Sequence, residues 1–126
     1  MAEINEVIPP PLKFAVNYDA NFELDLRQRF YGQSLAQLQE LCERHDYHIL
    51  SMRYMDVLII DKAYTEGEPV DIDEIYKAGF KERPMMDYYA DYPFDVEALQ
   101  KASPEEAYQI VKSGFAKYEG KFTLSL

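Results

Sequence analysis

The chain has 126 residues, 48% hydrophobic and 29% charged, a usage that marks one globular domain and excludes wholesale disorder. Its net charge is −10, and residues 56–106 hold 14 acidic against 5 basic side chains. With no stripe of Lys and Arg, this argues against nucleic acid as a direct ligand and suits a cationic partner or simple solubility.

Cys42 is the one cysteine, which excludes an intrachain disulfide. There is no signal-peptide pattern and no apolar run of about eighteen residues, so the chain is expected to be soluble and cytoplasmic, without a membrane partner. Eleven Tyr and seven Phe stand beside no Trp. A ring with a polar tip favours half-buried positions and contact surfaces.

In chain order, Glu3-Ile4-Asn5-Glu6-Val7-Ile8 reads as the end of a buried strand. Pro9-Pro10-Pro11 has no backbone N–H to donate, so pairing is expected to stop there and the chain to leave extended. Leu12 to Tyr18 alternates as a strand with Leu12, Phe14 and Val16 on one face, and Asp19-Ala20-Asn21 reads as a turn. Arg27 and Arg29 could hold an anion, or pair with Glu23 and Asp25.

Ser34-Leu35-Ala36-Gln37 is a capping box: the Ser hydroxyl accepts an amide of the first turn while Gln37 reaches back. Leu35, Leu38, Leu41 and Cys42 then give an apolar helix face. Cys42 has no catalytic context there and reads as a small buried thiol. Tyr47 to Met52 and Val57 to Ile60 are strand candidates separated by Arg53-Tyr54-Met55-Asp56, a spacing that suits an antiparallel hairpin.

Past Lys62, Glu66-Gly67-Glu68-Pro69 reads as a turn and Asp71-Ile72-Asp73-Glu74 as a second capping box. Gly79 is expected to end that helix, with Phe80 packing back on it. Residues 82–94 read as irregular, an aromatic cluster between Pro84 and Pro93. Asp95 caps a short helix to Lys101. Ser103-Pro104-Glu105-Glu106 joins a cap, a first-turn proline and acids, and its helix is expected to reach about Tyr118, with Ala107, Ile110, Val111, Phe115 and Tyr118 inward and Gly120 beyond its end.

Catalytic motifs are scarce. There is no glycine-rich phosphate loop, nucleophile elbow or metal signature. His45 and His48 would bind zinc only with ligands from elsewhere; otherwise His45 suits a helix C-terminus and His48 a strand surface. Asp87, Tyr88, Tyr89, Asp91 and Tyr92 form a candidate interaction surface, offering ring faces and carboxylates to a cationic group. Alternatively, these tyrosines pack over the core while the acids stay wet.

Glu3-Ile4-Asn5, Ile8-Pro9-Pro10-Pro11, Phe30-Tyr31-Gly32-Gln33-Ser34-Leu35 and Asp46-Tyr47-His48-Ile49-Leu50 together resemble the C-terminal part of S-adenosylmethionine-dependent methyltransferase-like proteins, close to the FkbM-like branch. Phe115-Ala116-Lys117-Tyr118-Glu119-Gly120-Lys121-Phe122 is similar to the tail of some members. Three departures stand out, one being that the Asp-x-Asp-Gly type segment that members place before the fifth strand is absent. The family's cofactor loop and ribose-holding acid have no counterpart here, and His45-Asp46 stands where many members have Lys-Gly.

The resemblance implies an α/β (or α+β) fold, with a partial Rossmann-like sheet of about three strands, an antiparallel hairpin, and three to four packing helices. Residues 1–126 would form one domain, with 1–62 as its core and 63–126 as an acidic, mainly helical extension. Glu3, Asn5, Tyr31 and Gly32 would form a substrate-side rim, because open α/β sheets bind ligands at strand C-termini; equally, Asn5 could satisfy loop backbone and Gly32 permit a tight approach. S-adenosylmethionine would bind only if a separate half completed the site.

The expected role is a methyltransferase-derived domain, not catalytic alone, serving as a substrate-side or interaction module. The alternatives are one subunit of a split methyltransferase, or an acidic adaptor or inhibitor for a basic protein surface. An open sheet edge recruits partners, so a homodimer, another chain, or refolding of residues 1–8 away from strand form is expected.

Overall fold

The computed structural model describes residues 1–18 and 27–126. The turn expected at Asp19–Asn21, with Glu23 and Asp25, lies outside them. Two small antiparallel sheets carry the fold. The first has strand order β1-β4-β3, formed by β1 (Ala2–Glu3), β3 (Tyr47–Arg53) and β4 (Asp56–Asp61). The second pairs β2 (Lys13–Val16) with β5 (Phe122–Ser125). The α/β class, the hairpin and the helix packing on a three-stranded sheet agree with expectation.

β3 and β4 pair from Tyr47 opposite Asp61 to Arg53 opposite Asp56, with a register shift between Ile49 and Ser51. Tyr54 turns the hairpin at φ 51°, a left-handed conformation unusual for a bulky residue. Ile49, Met52 and Val57 are buried on the inner face, where β3 packs against α1 (Leu35–Arg44) and α2 (Ile72–Tyr76).

β1 is shorter than the sequence suggests. It pairs Ala2 with Val57 and Glu3 with Asp56, and the chain then turns through Glu6–Ile8 rather than continuing as strand. Nor does the proline run leave extended: Leu12 N–H closes a turn onto the Pro9 carbonyl at 3.1 Å. Ile4, Val7, Ile8 and Leu12 are buried inside these turns, and burying them draws the segment inward.

Phe14 and Val16 of β2, with Leu12 just before it, face the core as their alternation requires. Their partner is β5, a tail not read as a strand: Phe14 lies opposite Leu124 and Val16 opposite Phe122. Phe30 and Phe122 meet Phe14 and Phe115 edge-on or tilted, while Phe14 stacks on Phe115 at 5.5 Å and Phe30 on Tyr118 at 4.0 Å. This aromatic block joins the first third of the chain to its end.

Ser34 caps α1, accepting from Gln37 N–H at 3.3 Å. The reciprocal half of the box is absent, because Ser34 N–H is already taken by the Phe14 carbonyl at 2.8 Å and Gln37 turns to Glu40. Ser34 Oγ also accepts from Phe14 N–H at 2.9 Å and donates to the Leu12 carbonyl at 2.7 Å, so one hydroxyl fastens α1 to β2. Leu35, Ala36, Leu38 and Cys42 form the buried face; Leu41 is 38% exposed instead. His45 closes the helix C-terminus.

α2 does not end at Gly79. The chain continues as a wide turn over Lys77–Lys81, and Gly79 is buried with its carbonyl accepting from Tyr54 N–H at 2.9 Å. A Cβ there would lie 2.5 Å from Met52 O, so close approach, not a left-handed turn, demands glycine. A 3-10 turn spans Asp87–Asp91, and Asp95 caps α3 (Val96–Lys101) through Ala98 N–H. α4 (Pro104–Gly114) stops short of Tyr118; a separate 3-10 turn covers Ala116–Tyr118. Ala107, Val111, Phe115 and Tyr118 are inward as expected, Ile110 only partly so.

Candidate functional site

Where β1 ends, Asn5 and Glu6 enter the interior. Both are fully buried, and a buried amide or carboxylate requires partners. Asn5 Nδ2 donates to the carbonyls of Arg29 (3.2 Å) and Tyr31 (3.1 Å), and its Oδ1 accepts from the Tyr92 hydroxyl at 2.7 Å. Asn5 N–H donates to the Gln33 carbonyl. This one residue therefore holds the 29–33 backbone against the Tyr92 turn.

Arg29 needs such support. It stands at φ 52°, a strained conformation for a residue with a long side chain. Its guanidinium lies 4.6 Å from the Tyr88 ring centroid and contacts Asp91 at 3.1 Å. Gly32, at φ 73°, would bring a Cβ to 3.5 Å from Asn5 N; its own N–H donates to the Tyr18 hydroxyl oxygen at 2.7 Å.

Glu6 lies beneath this layer. Its Oε1 accepts from the Tyr88 hydroxyl, whereas Oε2 is buried with no hydrogen-bond partner among the described residues. Its main-chain carbonyl accepts from the Tyr76 hydroxyl at 2.7 Å. Gln100 Oε1 lies 3.1 Å from the Tyr76 hydroxyl oxygen, and Gln100 Nε2 donates to the Val7 carbonyl at 2.7 Å. Among the described residues the Tyr89 hydroxyl, also buried, lacks a partner in bonding geometry, although it is near enough to act on the Glu6 carboxyl.

Burial raises the Glu6 pKa, and the Tyr88 hydrogen bond, together with the Arg29 charge, offsets this only in part. Burial, reinforced by the Glu6 charge, also pushes Tyr31, Tyr88, Tyr89 and Tyr92 upward. These tyrosines remain hydroxyl donors through the physiological range. They can orient and bind, but none is poised as a nucleophile or a base.

The two groups of residues picked from sequence thus converge. Asn5, Tyr31 and Gly32 meet Tyr88, Tyr89, Asp91 and Tyr92 in a single cluster. Glu3 does not join it: exposed on β1, it faces Asp56 across the sheet. Asp87 also stays in solvent. Tyr89 and Tyr92 pack over the core while Asp87 and Asp91 remain wet, the alternative weighed for this segment. Glu6, Tyr76 and Gln100 were not singled out in the sequence. A lone Glu beside Asn5 carries no signal of burial, and only the apolar residues around it hint at one.

His48 lies opposite Ile60 on β3. Among the described residues, no group of three or more His, Cys, Asp or Glu is placed to hold a metal, and no helix is long and apolar enough to cross a membrane. Comparison with family models, curated proteins and solved structures finds no match to the chain.

Proposed function

We propose that the chain is a substrate-side or interaction module derived from the C-terminal part of a methyltransferase-like protein, working in the cytoplasm beside a cofactor-binding half rather than binding S-adenosylmethionine itself. The observation that carries this reading is β1. It lies at the outer edge of the β1-β4-β3 sheet, no other described strand pairs with it, and its C-terminal end leads into the Asn5–Glu6 cluster.

Asp46 supports the same reading. It stands where the resemblance places a glycine, and its φ is 59°, the left-handed conformation that glycine adopts without cost. The edge itself is short. Ile4 N–H donates inward to Met55 O, and Asn5 N–H outward to Gln33 O; by alternation the Glu3 N–H faces the open side. A partner strand would therefore bind beside Met1–Glu3.

Titration calorimetry with S-adenosylmethionine and with its demethylated product tests the proposal. The isolated chain is expected to give no binding heat with either. Micromolar affinity for one of them would sink it. Hydrogen exchange supplies the second arm: the Glu3 amide should exchange as an open one in the chain alone, and protection there without a partner would count against a free edge.

A further inference from the structure

Between the wide turn after α2 and the start of α3 lies an open groove of about 430 Å³. Met85, Met86, Phe94 and Val96 line it, with Asp87, Asp95 and Glu97 around them and no basic side chain among the lining residues. Met85 is 51% exposed and Met86 41%, two adjacent flexible apolar side chains in water. Thioether side chains adapt to varied apolar guests, and surfaces rich in them accept amphipathic segments.

We infer that this groove docks a basic amphipathic segment of a partner protein, whose apolar anchor enters between Met85, Met86 and Phe94 while flanking Lys or Arg side chains meet Asp87, Asp95 and Glu97. Charge complementarity selects this occupant. From Met85 to Glu97 the chain has Asp87, Asp91, Asp95 and Glu97 and no Lys or Arg; Arg29 pairs with Asp91, and Lys101 meets Glu97 in an exposed pair. An anionic lipid surface would be repelled by the same acids. A second copy of a chain with net charge −10 is also a poor match. The groove shares no lining residue with β1, so this inference stands apart from the sheet-edge reading.

The probe is a synthetic helix of about fourteen residues, with Leu on one face and Lys on the other, added to the full chain with methyl-labelled methionine. The Met85 and Met86 methyl signals should shift while those of Met1, Met52 and Met55 hold still. Affinity should fall by about tenfold or more between low and high salt. D87N/E97Q should weaken binding by about fivefold, and M85S/M86S, read by titration calorimetry, should weaken it at least as much. All four positions are exposed, and unchanged circular dichroism of each variant keeps the comparison fair.

Equal binding of a Leu/Glu helix, affinity indifferent to salt, or no Met85 and Met86 response at millimolar probe would each overturn the inference. Self-association of the chain that broadens those two methyls, or their response to anionic vesicles in place of the Lys helix, would assign the groove to a different occupant and overturn it as well.

Discussion

The Tyr92 hydroxyl donates to Asn5 Oδ1 at 2.7 Å across 87 positions of sequence. The bond is buried, and the same Asn5 side chain holds the carbonyls of Arg29 and Tyr31. It therefore links three segments: the end of β1, the strained Arg29 turn, and the 3-10 turn of Asp87–Asp91.

Tyr92→Phe removes the donor and leaves Asn5 Oδ1 buried and unpaired. The expected loss is about 1–2 kcal/mol of unfolding free energy, read from urea denaturation at constant slope. In an Asn5→Ala background the same substitution should cost about 1 kcal/mol less, because the acceptor is already gone. Additive losses would show that the two side chains do not depend on each other.

What could be read from sequence was local. Ser34, Asp71, Asp95 and Ser103 each cap the helix their chemistry announces, since a cap needs only its next few amides. The β3–β4 hairpin was legible for the same reason. β5 was not, because Phe122–Ser125 is too short to stand as a strand until Lys13–Val16 lies beside it. Asn5 and Tyr92 were each noticed, for separate reasons, but their contact belongs to the fold. Gly79 was read as a helix stop because the reason for glycine there, the Met52 backbone, lies in another element. Glu6 is the sharpest case: a carboxylate reads as solvent-facing until the elements around it close.

Glu6→Gln tests the buried carboxyl. In the folded chain, burial raises the Glu6 pKa above its unfolded value, so the fold holds the proton more tightly. The carboxyl's contribution to stability is most favourable at low pH, where both states are protonated. It declines as pH climbs from the ordinary carboxylate range through the raised value. The amide keeps an acceptor for the Tyr88 hydroxyl, removes the charge, and brings N–H donors to the side where Oε2 has no partner. At about pH 7 the variant should be more stable by roughly 1 kcal/mol, and near pH 4 the two proteins should unfold alike. A stability difference that does not change with pH would mean that Glu6 ionises as freely in the fold as in the unfolded chain.

Gly79→Ala tests the seam between α2 and the hairpin. Gly79 is buried, its carbonyl accepts the Tyr54 N–H, and an added methyl would sit 2.5 Å from Met52 O and 2.8 Å from Met52 Cβ. Neither neighbour can give way easily: Met52 is a buried residue of β3, locked by its pairing with Val57. The methyl therefore pushes the wide turn off the sheet and loosens the Tyr54 bond that supports a left-handed hairpin residue. The expected cost is about 2–3 kcal/mol, together with faster amide exchange at Tyr54. Helix propensity alone predicts the opposite sign, since alanine is favoured over glycine within a helical turn by about 1 kcal/mol. A stabilised variant would therefore mean that propensity outweighs the contact with Met52, and a loss with unchanged Tyr54 exchange would mean that the strain is taken up on the helix side.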